Sequence, residues 1–160
     1  MLRCGAPHSM SRCNRVSFLF CWIAALVTAV RAQGQTQYMS GRTVGAVSVQ
    51  APVFANPVGL THFSVSEPSA VFLWSNKCRA SGLTVQIASP EPDSAWSCAL
   101  RRNYGDTDLD CQTKPGAGVC HSTTHNHAQL HPDDLVALRC QLVEGQSAGT
   151  VIFWYWQCDT

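Results

Sequence analysis

Six cysteines lie beyond the apolar N-terminal segment of this 160-residue chain: Cys78, Cys98, Cys111, Cys120, Cys140 and Cys158. An even set behind an export signal reads as a disulfide framework, because an oxidising compartment converts neighbouring thiols into bridges. Zinc held by cysteine draws on closely spaced CxxC pairs, and the chain has none. Cys111 and Cys120 bracket a stretch containing Pro115-Gly116, a turn signal, which places them at the feet of one hairpin loop and pairs them. Cys98 alternates with Trp96 and Leu100, and Cys140 with Val136 and Leu138, so both point inward and form a buried bridge. Cys78–Cys158 follows by elimination.

The export signal has three parts. Arg12 and Arg15 form a basic start, Val16 to Val27 an apolar run, and Val30-Arg31-Ala32 the small-residue site expected to be cleaved before Gln33. Two rivals compete. A retained span needs about 20 apolar residues, more than this run supplies. A lipid anchor at Cys21 wants a small preceding residue, and Phe20 is large. The expected organisation is a helical signal peptide over 1–32, a flexible polar leader over 33–43 and a β-domain over 44–160, with secretion to a periplasmic or extracellular space.

Loss of Arg3, Arg12, Arg15 and Arg31 leaves seven basic residues against ten acidic ones, a net charge of −3. Nucleic-acid binding rests on clustered Lys and Arg, so no nucleic-acid partner is expected. Nothing attracts the processed domain to an anionic membrane either.

The processed chain reads as short alternating runs split by Gly, Pro, Asn and Asp, with no useful helical period. The runs fall at Val44–Val53, Ala70–Trp74, Leu83–Ile87, Ala95–Arg102, Thr107–Cys111, Thr124–Leu130, Leu135–Val143 and Thr150–Cys158. Their number and spacing give an all-β fold, a two-sheet antiparallel sandwich of jelly-roll type.

Several runs carry a resemblance: Leu83–Ile87, Cys98–Asn103, Asp106–Cys111, Thr123-Thr124-His125, and Asp134–Arg139 before the aromatic last strand. Over about residues 80–158 this succession resembles exported bacterial and phage-associated β-sandwich proteins, distantly similar in layout to C1q/TNF-like domains. The resemblance implies a jelly roll and, from the C1q/TNF-like layout, a homotrimer with the aromatic last strand near the contact. It implies no particular activity. The extra core cysteines and the histidines depart from the usual pattern.

Three constellations are candidates for chemistry. His121, His125, His127 and His131 lie close in sequence, and on a strand His125 and His127 would share one face and could grip a divalent metal. This resembles the H-x-H of cupins and would imply a metal-dependent enzyme, but the following glutamate and the glycine spacing are missing. Exposed histidines beside a turn are the simpler reading. Asp106, Asp108 and Asp110 alternate and could offer oxygens to calcium, without the glycine and distal glutamate of an EF-hand. Alternating charge on a solvent face accounts for them equally well.

The last strand places Phe153 and Tyr155 on one face and Ile152, Trp154 and Trp156 on the other. Trp74, Trp154 and Trp156 are therefore core residues, interface residues or sugar-stacking platforms of a carbohydrate-binding module. No G-x-S-x-G elbow or phosphate-cradling glycine loop occurs. The expectation is a non-enzymatic contact module without cofactor, acting in recognition, adhesion or an oligomeric structure, with a protein or glycan surface as ligand.

Overall fold

Burial with a period of two organises the described residues, which are 34–44, 51–146 and 149–160 of a computed structural model. The signal segment, its cleavage point and the alternation over 45–50 lie outside them. Eleven strands follow in order: β1 Thr36–Thr43, β2 Val53–Ala55, β3 Gly59–Thr61, β4 Phe72–Leu73, β5 Cys78–Ile87, β6 Ala95–Arg102, β7 Gly105–Gln112, β8 Val119–His121, β9 His127–Leu130, β10 Leu135–Glu144 and β11 Ile152–Asp159. The first sheet runs β3-β1-β11-β5, with β8 and β9 sharing the far edge of β5. The second runs β2-β10-β6-β7, with β4 beside β2 along β10.

Every named pairing is antiparallel except β1 with β3. With β2/β4 and β8/β9 each taken as one lane, the chain changes sheet at most connections, and β6–β7 is the hairpin that stays within one. This is a jelly roll. The segment expected as a flexible leader is strand β1, paired along its length with β11. Its residues Thr36, Tyr38 and Ser40 face solvent, and a strand with one wet face carries the same polar signal as a flexible tail.

Inward side chains of both sheets make one core that includes Leu83, Val85, Trp96, Leu100, Leu138, Ile152 and Trp156. Along β5 the inward set changes phase, from Cys78 and Ala80 to Leu83, Val85 and Ile87. Gly82 makes that change. Its φ of +64° places it in the left-handed region, and a bulge falls between the pairs Tyr155↔Thr84 and Gln157↔Ser81. A bulge at a left-handed glycine inserts one residue into a strand, and here both halves of β5 keep their apolar side chains inward. The same point separates the stretch paired with β9 from that paired with β8.

The indoles of Trp154 and Trp156 both donate to the carbonyl of Pro57, at 2.9 and 3.3 Å. The β2–β3 connection is thereby fixed under β11. Gly41 is required opposite Trp154, since a Cβ there would stand 2.5 Å from the indole.

The bridges are Cys78–Cys158, Cys98–Cys140 and Cys111–Cys120. Cys78–Cys158 joins neighbouring strands β5 and β11 of the first sheet, and Cys98–Cys140 joins directly opposed residues of β6 and β10. Cys111–Cys120 does not close a hairpin as the turn signal suggested. It runs from β7 in the second sheet to β8 in the first, so it staples the two sheets.

Two stability predictions follow from these features. Gly82→Val forces a β-branched residue into the left-handed region and lowers unfolding free energy by at least about 1–2 kcal/mol, read by urea denaturation. An unchanged midpoint would mean that β5 has no bulge. In the loop-entropy picture, removing Cys78–Cys158, whose partners are 80 residues apart, costs about 2 kcal/mol more than removing Cys111–Cys120, 9 apart. Paired Cys→Ser variants melted side by side test the order, and the reverse order would mean that the inter-sheet staple stabilises by more than loop entropy.

Candidate contact surface

Because Ile152, Trp154 and Trp156 point inward, β11 turns Phe153 and Tyr155 outward, and the register of its neighbours arrays side chains around them. One row across the sheet reads Leu60, Arg42, Phe153, Gln86 and Val119. The next reads Ser40, Tyr155, Thr84 and His121, and a third Tyr38, Gln157, Ser81 and His127. Tyr38, Leu60 and Tyr155 are 76%, 66% and 51% exposed. Between the first two rows lies a shallow groove of about 460 Å³, with Leu60, Phe153, Tyr155 and Val119 among its apolar lining.

The groove's charge is one-sided. Arg42 is its sole ionic side chain, with no carboxylate in the lining, and among the described residues Arg42 has no ion-pair partner. Polar residues ring the apolar centre and are held by local bonds. Thr84 Oγ1 and His121 Nδ1 are 2.9 Å apart, and Gln157 Nε2 donates to Ser81 Oγ at 3.1 Å. The Thr84–His121 pair has the spacing of a nucleophile and its base, but no carboxylate among the described residues orients the imidazole. An apolar patch with aromatic and arginine side chains inside a polar rim has the composition of a protein contact surface.

The expected metal ligands do not converge. His125 lies in a turn ahead of β9, so it does not share a strand face with His127. His127 Nδ1 sits 2.9 Å from the His125 carbonyl and 3.4 Å from the Arg79 guanidinium, whose positive charge opposes a cation there. His121 belongs to the contact surface, and His131 is exposed beside Asp134 at 3.8 Å. Among the described residues, no group of three or more His, Cys, Asp or Glu comes together as a metal site would need.

Two of the three aspartates are engaged elsewhere. Asp106 pairs with Arg101 and, at 2.7 Å, with Arg139, while Asp110 accepts from Asn126 Nδ2 at 3.0 Å. Asp106, Asp108 and Asp110 all stand exposed along β7. A polar recess beside β7 and β9 brings Asp106, Asp108 and His127 together with Arg102, whose Nη1 donates to the Gln129 carbonyl at 2.5 Å.

Trp74, Trp154 and Trp156 are all buried, at 4%, 2% and 0% exposure. None presents a ring to solvent, so these three tryptophans do not serve as the exposed stacking platforms expected of a carbohydrate-binding module. They pack in the core instead, with the Trp74 and Trp156 rings tilted at 45° and 5.5 Å apart and Trp154 beside Phe63.

On the opposite face, Arg101 ties the sheet to the preceding loop. It donates from Nε to Glu67 Oε1 at 2.6 Å, also contacts Asp106 and the Tyr104 carbonyl, and lies over the Phe54 ring. The hydrogen bond to Glu67 is the largest cause holding its pKa above the ordinary guanidinium value, against the opposing effect of burial. A raised pKa gives stability that is present below the unfolded value and lost only as pH rises beyond it. The network is therefore indifferent to physiological pH on the arginine side.

Sequence reasoning placed Phe153 and Tyr155 on one strand face but named Trp74, Trp154 and Trp156 as the interface candidates, and it missed Tyr38, Leu60, Arg42 and Val119. They flank the last strand only through β1, β3 and β8, whose short polar or glycine-bounded runs carry little periodicity. No protein-family model matches the chain, and no curated protein matches its sequence.

Arg101→Met is expected to lower stability by about 1–3 kcal/mol through loss of charge-assisted hydrogen bonds, read by urea denaturation. A neutral result would make the cluster a solvated surface pair. Excess zinc or calcium should leave the melting temperature of the oxidised protein unchanged, because a ligand stabilises only what it binds. A rise abolished by His127→Ala would restore a metal site.

Proposed function

We propose that this protein is an exported, non-enzymatic contact module whose outer first-sheet face binds a protein partner in recognition, adhesion or assembly. The observation that carries this reading is the apolar centre of Leu60, Phe153, Tyr155 and Val119 within a polar rim, beside Arg42, which has no ion-pair partner among the described residues. Exposed apolar patches rimmed by polar residues mark interaction sites, and tyrosine and arginine dominate contact energetics.

Three bridges in one small domain support an oxidising destination outside the cytoplasm. No helix among the described residues is long and apolar enough to cross a membrane. The C1q/TNF-like resemblance adds an assembly of like subunits to the candidate partners. Arg42 favours a partner with a carboxylate opposite the groove, since a guanidinium forms its best paired hydrogen bonds with carboxylates.

Tyr155→Ser combined with Leu60→Ser removes the apolar centre from exposed positions and should leave the melting temperature nearly unchanged. Immobilised wild type and double variant are exposed to the extracellular fraction of the source, and retained proteins are compared. Binding lost only in the double variant supports the reading; identical retention would move the contact to another face.

A further inference from the structure

Disulfide exchange in a folded protein is decided by which sulfurs stand side by side, because a thiolate must reach the bridge it attacks. β6 lies between β10 and β7, and its Cys98 is opposed on one side by Cys140 and on the other by Cys111. Opposed residues of an antiparallel pair send their side chains to the same face, and all three belong to the core. Cys98 is bonded to Cys140, and Cys111 to Cys120. Two bridges therefore abut, with Cys98 and Cys111 as the inner pair.

This sheet already holds one bridge across opposed strands, since the Cys98 and Cys140 Cα atoms are 4.2 Å apart. Cys111 occupies the matching position on the other side of Cys98. Opposed Cα atoms lie about 4.5–5.5 Å apart, within the range of about 4.4–6.8 Å that disulfides span. Cys98 thus has two partners in reach and uses one.

The three bridges also differ in access. Cys111 and Cys120 are 7% and 5% exposed, and the other four half-cystines at most 3%. β7 and β8 are outer strands of their sheets, so a reductant meets Cys111–Cys120 first.

We propose that Cys98 is the pivot of a redox relay, in which reduction of Cys111–Cys120 passes inward as Cys98 exchanges Cys140 for Cys111. A dithiol gives two electrons and two protons to the outer bridge and leaves as a disulfide, freeing the Cys111 and Cys120 thiols. Cys111 loses its proton, and the thiolate attacks Sγ of Cys98. The Cys98–Cys140 bond breaks as Cys98–Cys111 forms, and Cys140 leaves as a thiolate that takes up a proton. The remaining thiols are Cys120 on β8 and Cys140 on β10, one in each sheet. The staple between the sheets is then gone, β10 is released from β6, and the β6–β7 hairpin is locked instead. Val119 and His121 flank Cys120 on β8, so the relay acts on a strand that borders the contact surface. The exchange itself stands independently of the contact-face reading.

The experiment maps free thiols in protein incubated under native conditions. Acid stops exchange by protonating thiolates, and N-ethylmaleimide in acidic denaturant then labels every thiol before peptide mapping without reduction. Cys120→Ser frees the Cys111 thiol with no reductant present. Its label is expected to divide between Cys111 and Cys140, with a Cys98–Cys111 bridge in the chains labelled at Cys140. Cys111→Ser places the free thiol at Cys120, opposite Val85 in the other sheet, and its label is expected on Cys120 alone. Wild type opened at one bridge by limiting dithiothreitol is expected to carry label at Cys120, with Cys140 replacing Cys111 as the second site in part of the molecules. This arm decides the matter should the variants not fold. Cys140 left unlabelled in singly reduced wild type or in folded Cys120→Ser overturns the proposal. So does Cys140 label in Cys111→Ser, which would trace the exchange to unfolded chains.

Discussion

The inter-sheet bridge Cys111–Cys120 lies in a row of residues that circles the sandwich, and the two layers depend on it for their alignment. Across the second sheet, Val53, Cys140, Cys98 and Cys111 stand side by side in register. The Cys111–Cys120 bond carries the row to the first sheet, where Val85, Trp154 and Gly41 continue it. Two sheets of a sandwich otherwise meet only through side-chain packing, which is non-directional. A covalent tie within a registered row fixes which residues face each other, and Cys98–Cys140 locks two strands of the same row.

The contact surface is the outer consequence of that inner alignment. Trp154 and Trp156 can point inward because Pro57 accepts both indole protons and Gly41 leaves room for one ring. A strand alternates its side chains, so inward tryptophans oblige Phe153 and Tyr155 to face out. The bulge at Gly82 then keeps Thr84 and Gln86 beside them while returning Leu83 and Val85 to the core. Burial on one side and display on the other come from the same alternation.

Much of the fold was legible because its signals are local. Alternation at Trp96-Cys98-Leu100 and Val136-Leu138-Cys140 identified two facing strands and their bridge, and Phe153/Tyr155 separated correctly from Trp154/Trp156. What escaped depends on partners distant in sequence. β1 is a strand because β11, more than a hundred residues later, pairs with it. The hairpin inferred around Pro115-Gly116 was a crossover, since a turn signal does not say which sheet receives the chain. His125 and His127 looked like a ligand pair because strand alternation was extended into a turn. The contact surface draws side chains from β1, β3, β5, β8 and β11, an assembly visible only once the sheet order is known.

The central claim is that the outer face around Tyr155 is occupied in the protein's working state. The chain has three tyrosines, Tyr38, Tyr104 and Tyr155, and Tyr104 sits in the β6–β7 turn of the other sheet as an internal reference. Hydroxyl-radical footprinting of the protein in its native setting, compared with the purified protein, measures occupancy directly. The account predicts that Tyr155 is shielded in the native setting while Tyr104 keeps its reactivity. Equal reactivity of Tyr155 in both states, or shielding confined to Tyr104, would contradict it.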